Sequence, residues 1–234
     1  MLVQAGSSDI GKAFAARIAD VIFTAQVKFE DAKAFRDELR HRTSEFGRDP
    51  NSIRVMPGLK LIIGDTEAEA RDLQAHLRSL IPVDQAIAAL NHLSAGLDLR
   101  KFDPDGPLPQ LPEANSAKAR QALIVKRARE ENLTLGQVAQ LWAEGAGHFT
   151  LVGTPMMMAD TMERWFRGGA CDGFNFDFSN YPTAVRAVMD KIVPELQNRG
   201  LFRTEYEGQT LRENLGIANF EKPLAIIGRP VALG

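Results

Sequence analysis

Two rhythms of apolar residues alternate along this chain. Short runs of apolar and β-branched side chains, Leu2–Ala5, Asp20–Thr24 and Ile53–Ile63, read as strands. Between them, apolar residues return every three or four positions. Ile10, Ala13, Phe14 and Ile18 form one such stripe, and Phe35 and Leu39 another within Glu30–Phe46, which predicts helices. Gly6-Ser7-Ser8-Asp9 is a turn with N-cap chemistry, Gly47-Arg48-Asp49-Pro50 ends the second helix, and Pro57-Gly58 predicts a bulge or break in the third strand. Gly64-Asp65-Thr66 turns into a long third helix, with Thr66 and Glu69 at capping-box spacing. This alternation is the order of parallel βα units. Leu2–Ala5 reads as a buried strand although it opens the chain, so either structure precedes it or it is an edge.

From about residue 75 to 145 the rhythm changes. Asp103–Pro112 is rich in proline and glycine and must be irregular, and helical patterns follow at Ala117–Glu131 and Leu135–Glu144, the second with a capping box from Thr134 and Gln137. These residues read as a helical insertion. Thr154-Pro155 then starts a helix through Met158, Met162, Trp165 and Phe166, stopped at Gly168-Gly169. Asp172–Phe178 alternates as a strand. Tyr181-Pro182-Thr183 opens a last helix through Val185, Val188, Met189 and Ile192, kinked or restarted at Pro194 and closed at Gly200. The expected fold class is α/β, with four βα units and an insertion after the third. That is half of a (β/α)8 barrel, a fold that takes about 250 residues when whole. The barrel part spans 1–217, and the residues from Leu201 to the end, including a tail at 218–234, are expected to be extended.

Composition narrows the class. With 44% hydrophobic and 25% charged residues and a formal net charge of −2, the chain has the balance of a globular protein. It lacks the basic excess that nucleic acid or an anionic membrane would attract. The single cysteine, Cys171, permits no internal disulfide, no apolar run approaches the ~20 residues needed to cross a bilayer, and the start has no signal-peptide pattern. A reducing cytoplasm is the expected compartment.

Three places carry candidate chemistry. Gly6-Ser7-Ser8 joins a strand to a helix N-terminus. There, free N–H groups, a positive dipole end and close backbone approach suit a phosphate, although either serine can also serve only as a cap. Gly173–Asp177 puts Asn175 and Asp177 on one face and Phe174 and Phe176 on the other. Asp177 would accept a proton or orient a donor if that strand end faces a barrel mouth, and is otherwise a loop carboxylate beside a packing layer. Of the histidines, His41, His76 and His92 show no ligand spacing, and only His148, just before the Phe149–Gly153 run, lies near a strand end. No metal is expected. Cys171 reads as a small buried hydrophobe, Met156-Met157-Met158 as packing filler, and Lys126, Arg127 and Arg129 as a solvated helix face.

Four stretches, taken in order, carry a resemblance. They are LVQAGSS leading to ADVIFTAQ (residues 2–26), GDTEAEA (64–70), Gly153-Thr154-Pro155, and VPELQ with RGLFRTEYEG and Thr210-Leu211-Arg212. Together they resemble the nitrilotriacetate monooxygenase component A and dibenzothiophene-sulfone monooxygenase branch of the luciferase-like flavin monooxygenases, from residue 1 to about 217. The resemblance implies a TIM barrel and a two-component enzyme that takes reduced FMN from a separate flavin reductase and uses O2 on a small organic substrate. It also implies that Gly6, Ser7 and Ser8 hold the FMN phosphate. The family's strands one to four, with their flavin-ring contacts and a histidine–tyrosine pair, have no counterpart here. The chain is therefore expected to be the C-terminal half, active with a complementing N-terminal half. The alternatives are a catalytically inactive remnant and a self-associating half-barrel, a homo-oligomer that binds flavin or phosphate. Three methionines stand where relatives often carry an acidic and a polar residue after Gly-Thr-Pro.

Overall fold

The computed structural model describes residues 1–113, 118–145 and 147–218. Five parallel strands form the sheet: β1 (Val3–Ala5), β2 (Val21–Thr24), β3 (Arg54–Ile63), β4 (Phe149–Gly153) and β5 (Asn175–Asp177). One strand more than the expected four is present, because Phe149–Gly153 pairs residue for residue with Leu59–Ile63. A five-residue apolar run ending in glycine carries too little period to separate it from a buried connection.

β3 organises the sheet. Its first part, Arg54–Pro57, pairs with β2, while Gly58–Lys60 pairs with β5 and Leu59–Ile63 with β4. Leu59 and Lys60 are shared by β4 and β5, so these two strands flank β3 on opposite sides. The predicted break at Pro57-Gly58 is thus a change of neighbours within one continuous strand.

Side chains alternate across a strand, and here the two faces differ in chemistry. Ile22 and Val55 pack under α1 (Asp9–Ile18) and α2 (Phe29–Glu45) with Ala15, Ala16, Phe35 and Leu39. Leu59 and Leu61 pack under α7 (Pro155–Arg167), the π-helical turn Val188–Ile192 and α9 (Val193–Asn198) with Met158, Met162, Ile192 and Leu196. Pro194 restarts that last helix after α8 (Thr183–Ala187) and the π turn, as its missing N–H requires. Val3, Ala5, Phe23, Met56, Gly58 and Lys60 alternate onto the opposite face. Val3 is 63% exposed, so β1 is not the buried strand its sequence suggests. The expected core stripe of α1 also turns outward: Ile10 is 84% and Phe14 53% exposed, and the alanines make the contact.

The helix α3 (Glu67–Ser79) starts on the expected box, with Thr66 and Glu69 bonding reciprocally. Beyond it, α4 (Val83–Leu90), α5 (Lys118–Glu130) and α6 (Leu135–Gly145) enclose their own core of Ile87, Leu90, Leu93, Leu99, Leu135, Val138 and Trp142. Residue 117, the expected start of α5, lies outside the described residues.

Ion pairs fasten the N-terminal edge of the sheet. Asp20 accepts from the Leu2 amide at 2.8 Å and pairs with Arg212 at 2.6 Å. Arg54 donates to the carbonyls of Leu215 and Gly216 at 2.7 and 2.6 Å. The segment after Gly200 is therefore not wholly extended: α10 (Leu211–Asn214) forms on a Thr210–Glu213 capping box, and Ile217 is buried. Residues 219–234, most of the expected tail, lie outside the described residues. Asp172, 8% exposed, receives Arg36 at 2.7 Å, Arg40 at 3.0 Å and the Val55 amide at 2.9 Å.

Candidate active site

The C-terminal ends of β1, β2 and β5 carry polar residues: Ser7 and Ser8, Thr24, and Asp177. After β1, Gly6 packs tightly on the first turn of α1, where a Cβ on Gly11 would meet the Gly6 carbonyl carbon at 3.1 Å. Two glycines in contact bring the helix N-terminus onto the strand end. Ser8 is the N-cap and accepts from the Gly11 amide. Ser7 shares a hydrogen bond with Thr24 at the end of β2, 3.1 Å between oxygens, and Gln26 donates to the same threonine. Both serines are exposed. The remaining amides of the first turn of α1 point outward with the positive end of its dipole. Lys12 and Arg42 lie beside the turn, each bonded to Glu38. These residues fit a phosphate: hydroxyl and amide donors, a close backbone and nearby cations. Both capping and anchoring are thus open to this turn, and Ser8 does the first in the structure.

Register sets the height of this turn. Ala5 lies opposite Phe23 and Phe23 opposite Met56, while Gly58, two residues on, lies opposite Asn175. Ser7, two residues past Ala5, therefore stands on the tier of Gly58 and Asn175. Three inter-strand steps of about 4.8 Å separate the ends of that tier, roughly 14 Å along the sheet.

At the far end of the tier, Phe23, Gly58, His148, Asn175, Phe176 and Asp177 line a cavity of about 280 Å³. The expected division of faces holds, since Phe174 and Phe176 pack on the helix side while Asn175 and Asp177 are exposed. His148 lies beside the Phe23 ring, centroids 5.3 Å apart, and its Nδ1 is buried without a partner among the described residues. Burial holds the imidazole below its ordinary range; Arg120 and Lys60 push the same way and Asp177 opposes. The sequence reading missed Lys60. It is 9% exposed, its ammonium lies 3.4 Å from Asp177 and donates to the Glu144 carbonyl at the end of α6. Glu144 in turn accepts from Arg78 and Gln74 on α3. A lysine inside an apolar strand run gives no periodic signal, and only the register reveals its partner.

The other sequence candidates fall outside this site. His41 pairs with Glu45 on the surface, and His92 lies against the Trp142 ring within the insertion. Cys171 is buried and its thiol is pushed up to about 12 by burial. Of the three methionines only Met158 is buried. Lys126 and Arg127 pair with Glu130 and Glu131 on one helix face. Among the described residues no cluster of metal-ligating side chains occurs, and no helix is long and apolar enough to cross a membrane.

A parallel α/β sheet with Ser7, Ser8, Thr24 and Asp177 at C-terminal strand ends is one class of enzyme scaffold. Comparison narrows the class: residues 2–171 match the model of the luciferase-like monooxygenase family, and the chain belongs to that family. It is 42% identical over 226 residues to nitrilotriacetate monooxygenase component A of Aminobacter aminovorans, covering 96% of this chain and 50% of that protein. It is also 42% identical to N-acetyl-S-(2-succino)cysteine monooxygenase of Bacillus subtilis (strain 168), covering 96% and 51%. Among solved structures it is similar to DmoA from Hyphomicrobium sulfonivorans, with a TM-score of 0.80, 30% identity, and 93% of this chain on 45% of that one. The chain spans about half the length of the relatives it matches.

Proposed function

We propose that this chain is the C-terminal half of a TIM-barrel, two-component monooxygenase that uses reduced FMN and O2 to oxidise a small organic compound. The observation that carries the reading is the shared tier. A turn fit for a phosphate and a polar cavity stand at one height on the sheet, at a separation that a phosphate-anchored FMN covers. In this reading Gly6 admits the phosphate, the Ser7 and Ser8 hydroxyls and the first amides of α1 hold it, and Thr24 orients Ser7. FMN, when bound in its reduced state, supplies the electrons that activate O2. Asp177 and His148 face the reacting region and are the candidates for orienting substrate or moving a proton.

Two observations support a missing half. Among the described residues β1 has one strand neighbour, which leaves its other edge unpaired there, and Val3, Ile10 and Phe14 on β1 and α1 expose apolar surface. An N-terminal half-barrel would cover this edge, and a second copy of the chain is the competing occupant. A flavin reductase is the expected second component, and the cytoplasm the expected compartment.

Titration of the purified chain with FMN, followed by flavin fluorescence, tests the reading. Saturable binding that Ser7→Ala/Ser8→Ala weakens about tenfold or more is expected. A folded chain that binds FMN equally well with and without both hydroxyls contradicts the assigned anchor.

A further inference from the structure

We propose that a second cavity, beside the N-terminal end of β3, binds an aryl carboxylate: a flat apolar ring system carrying one carboxylate, which Arg203 receives. The inference does not depend on the monooxygenase reading above.

The cavity holds about 390 Å³, within the range of small-molecule sites. Met162 and Phe166 of α7, Phe174 ahead of β5, Leu196 of α9, and Leu201 and Phe202 beyond it form its walls. The three phenylalanines come from separate segments. Phe166 is 47% and Phe202 37% exposed, so two of the rings face water although an apolar core lies beside them. A flat ring seated between them removes that surface from water. Aromatic faces and edges, with the Met162 sulfur, favour a ring over an alkyl chain. Arg54, the first residue of β3, also lines the cavity, four residues and roughly 13 Å along the strand from Gly58. The site is therefore separate from the flavin anchor and from the Asp177 cavity.

Charge selects the head group. The charged residues among the described lining are Arg54, Asp172 and Arg203. Asp172 is already held by Arg36 and Arg40. Arg54 donates to the carbonyls of Asn51, Leu215 and Gly216, neutral acceptors that leave its charge in place. Arg203 has no ion pair among the described residues. Its guanidinium lies over the rings of Phe202 and Tyr206, 4.7 and 4.5 Å from their centroids, and donates to the Tyr206 hydroxyl at 3.2 Å. Two rings and a hydroxyl thus hold the fork in place before any ligand arrives, which reduces the freedom lost on binding. Enough N–H donors remain for two parallel bonds to a carboxylate. A neutral aryl compound forgoes those bonds, and a cation is repelled by Arg54 and Arg203. A second carboxylate would have to be buried against the apolar walls.

Isothermal titration of the full chain with 2-naphthoate, 2-naphthamide and 2-naphthylmethylamine tests this. The three share a ring system and differ in the charge of the group it carries. The wild-type chain is expected to bind one 2-naphthoate, at least tenfold more tightly than the amide, with the amine weakest. Arg203→Gln, at an exposed position, should bring naphthoate down to the affinity of the amide and leave the amide within about twofold. Phe166→Ala should weaken both about fivefold. Three results overturn the proposal: equal binding of naphthoate and amide by the wild type, no saturable naphthoate binding by a chain with native circular dichroism, or an anion preference that survives Arg203→Gln. Saturating FMN should leave the naphthoate affinity unchanged; competition would place the anion at the flavin anchor and overturn the proposal as well. Naphthoate binding by a chain that fails to bind FMN sinks the flavin reading alone, and FMN binding without naphthoate binding sinks this one alone.

Discussion

Gly58 and His148 touch across the step from β3 to β4: a Cβ built on Gly58 would lie 2.7 Å from Nδ1 of His148 and 3.0 Å from the Phe23 ring. The residue is glycine because two rings converge on it from the face where the cavity lies. Gly58→Ala must push the imidazole or Phe23 aside, and overpacking of this kind costs about 1–3 kcal/mol. A fall in Tm of a few degrees is expected, together with loss of any ligand binding in the cavity. Thermal melts and titrations of the variant check both, and an unchanged melt would mean that the rings move freely.

His148 makes stability depend on pH in a defined direction. Its folded-state pKa is lowered, mainly by burial and then by Arg120, with Lys60 adding and Asp177 opposing. The unfolded chain therefore binds more protons below the ordinary histidine value of about 6.5. The contribution is fully present above that value and is lost as pH falls through the folded pKa. Urea midpoints measured at several pH values below 6.5 should fall more steeply for the wild type than for His148→Gln. Parallel curves would show that His148 is not buried as described.

Asp172 holds two arginines and a strand amide at the base of the sheet. Arg36 and Arg40 are 14% and 23% exposed, and Asp172 is 8% exposed. Removal of a buried partner leaves charges uncompensated, at about 3–5 kcal/mol. Asp172→Ala should lower stability by that order, because the Val55 amide loses its acceptor as well. Denaturant unfolding measures the change. A loss under about 1 kcal/mol would mean that the cluster behaves as a solvated surface network.

Cys171 should be chemically silent. Its thiol is pushed up to about 12, mainly by burial. A thiol-specific reagent at pH 8 should label the native chain far more slowly than the urea-unfolded chain. Equal rates would place the thiol in solvent.

The alternation of strands and helices was legible because the strands here are apolar runs bounded by turn residues, and Thr66, Thr134 and Thr154 mark helix starts by local chemistry alone. The Gly6–Ser8 turn was legible for the same reason. β4 was not counted, since its strand character comes from its register with Leu59–Ile63. Lys60 was invisible, because its meaning lies in Asp177 and Glu144, more than eighty residues away in sequence. The outward turn of Ile10 and Phe14 was also missed: periodicity finds an apolar stripe but does not say what covers it.

The most direct test of the central claim compares the affinity of the folded chain for FMN with that for riboflavin, which differs only by the phosphate. If Gly6, Ser7, Ser8 and the first turn of α1 anchor that phosphate, FMN should bind at least tenfold more tightly, about 1.4 kcal/mol, and the advantage should shrink in Ser7→Ala/Ser8→Ala. Equal affinities for FMN and riboflavin would contradict the account.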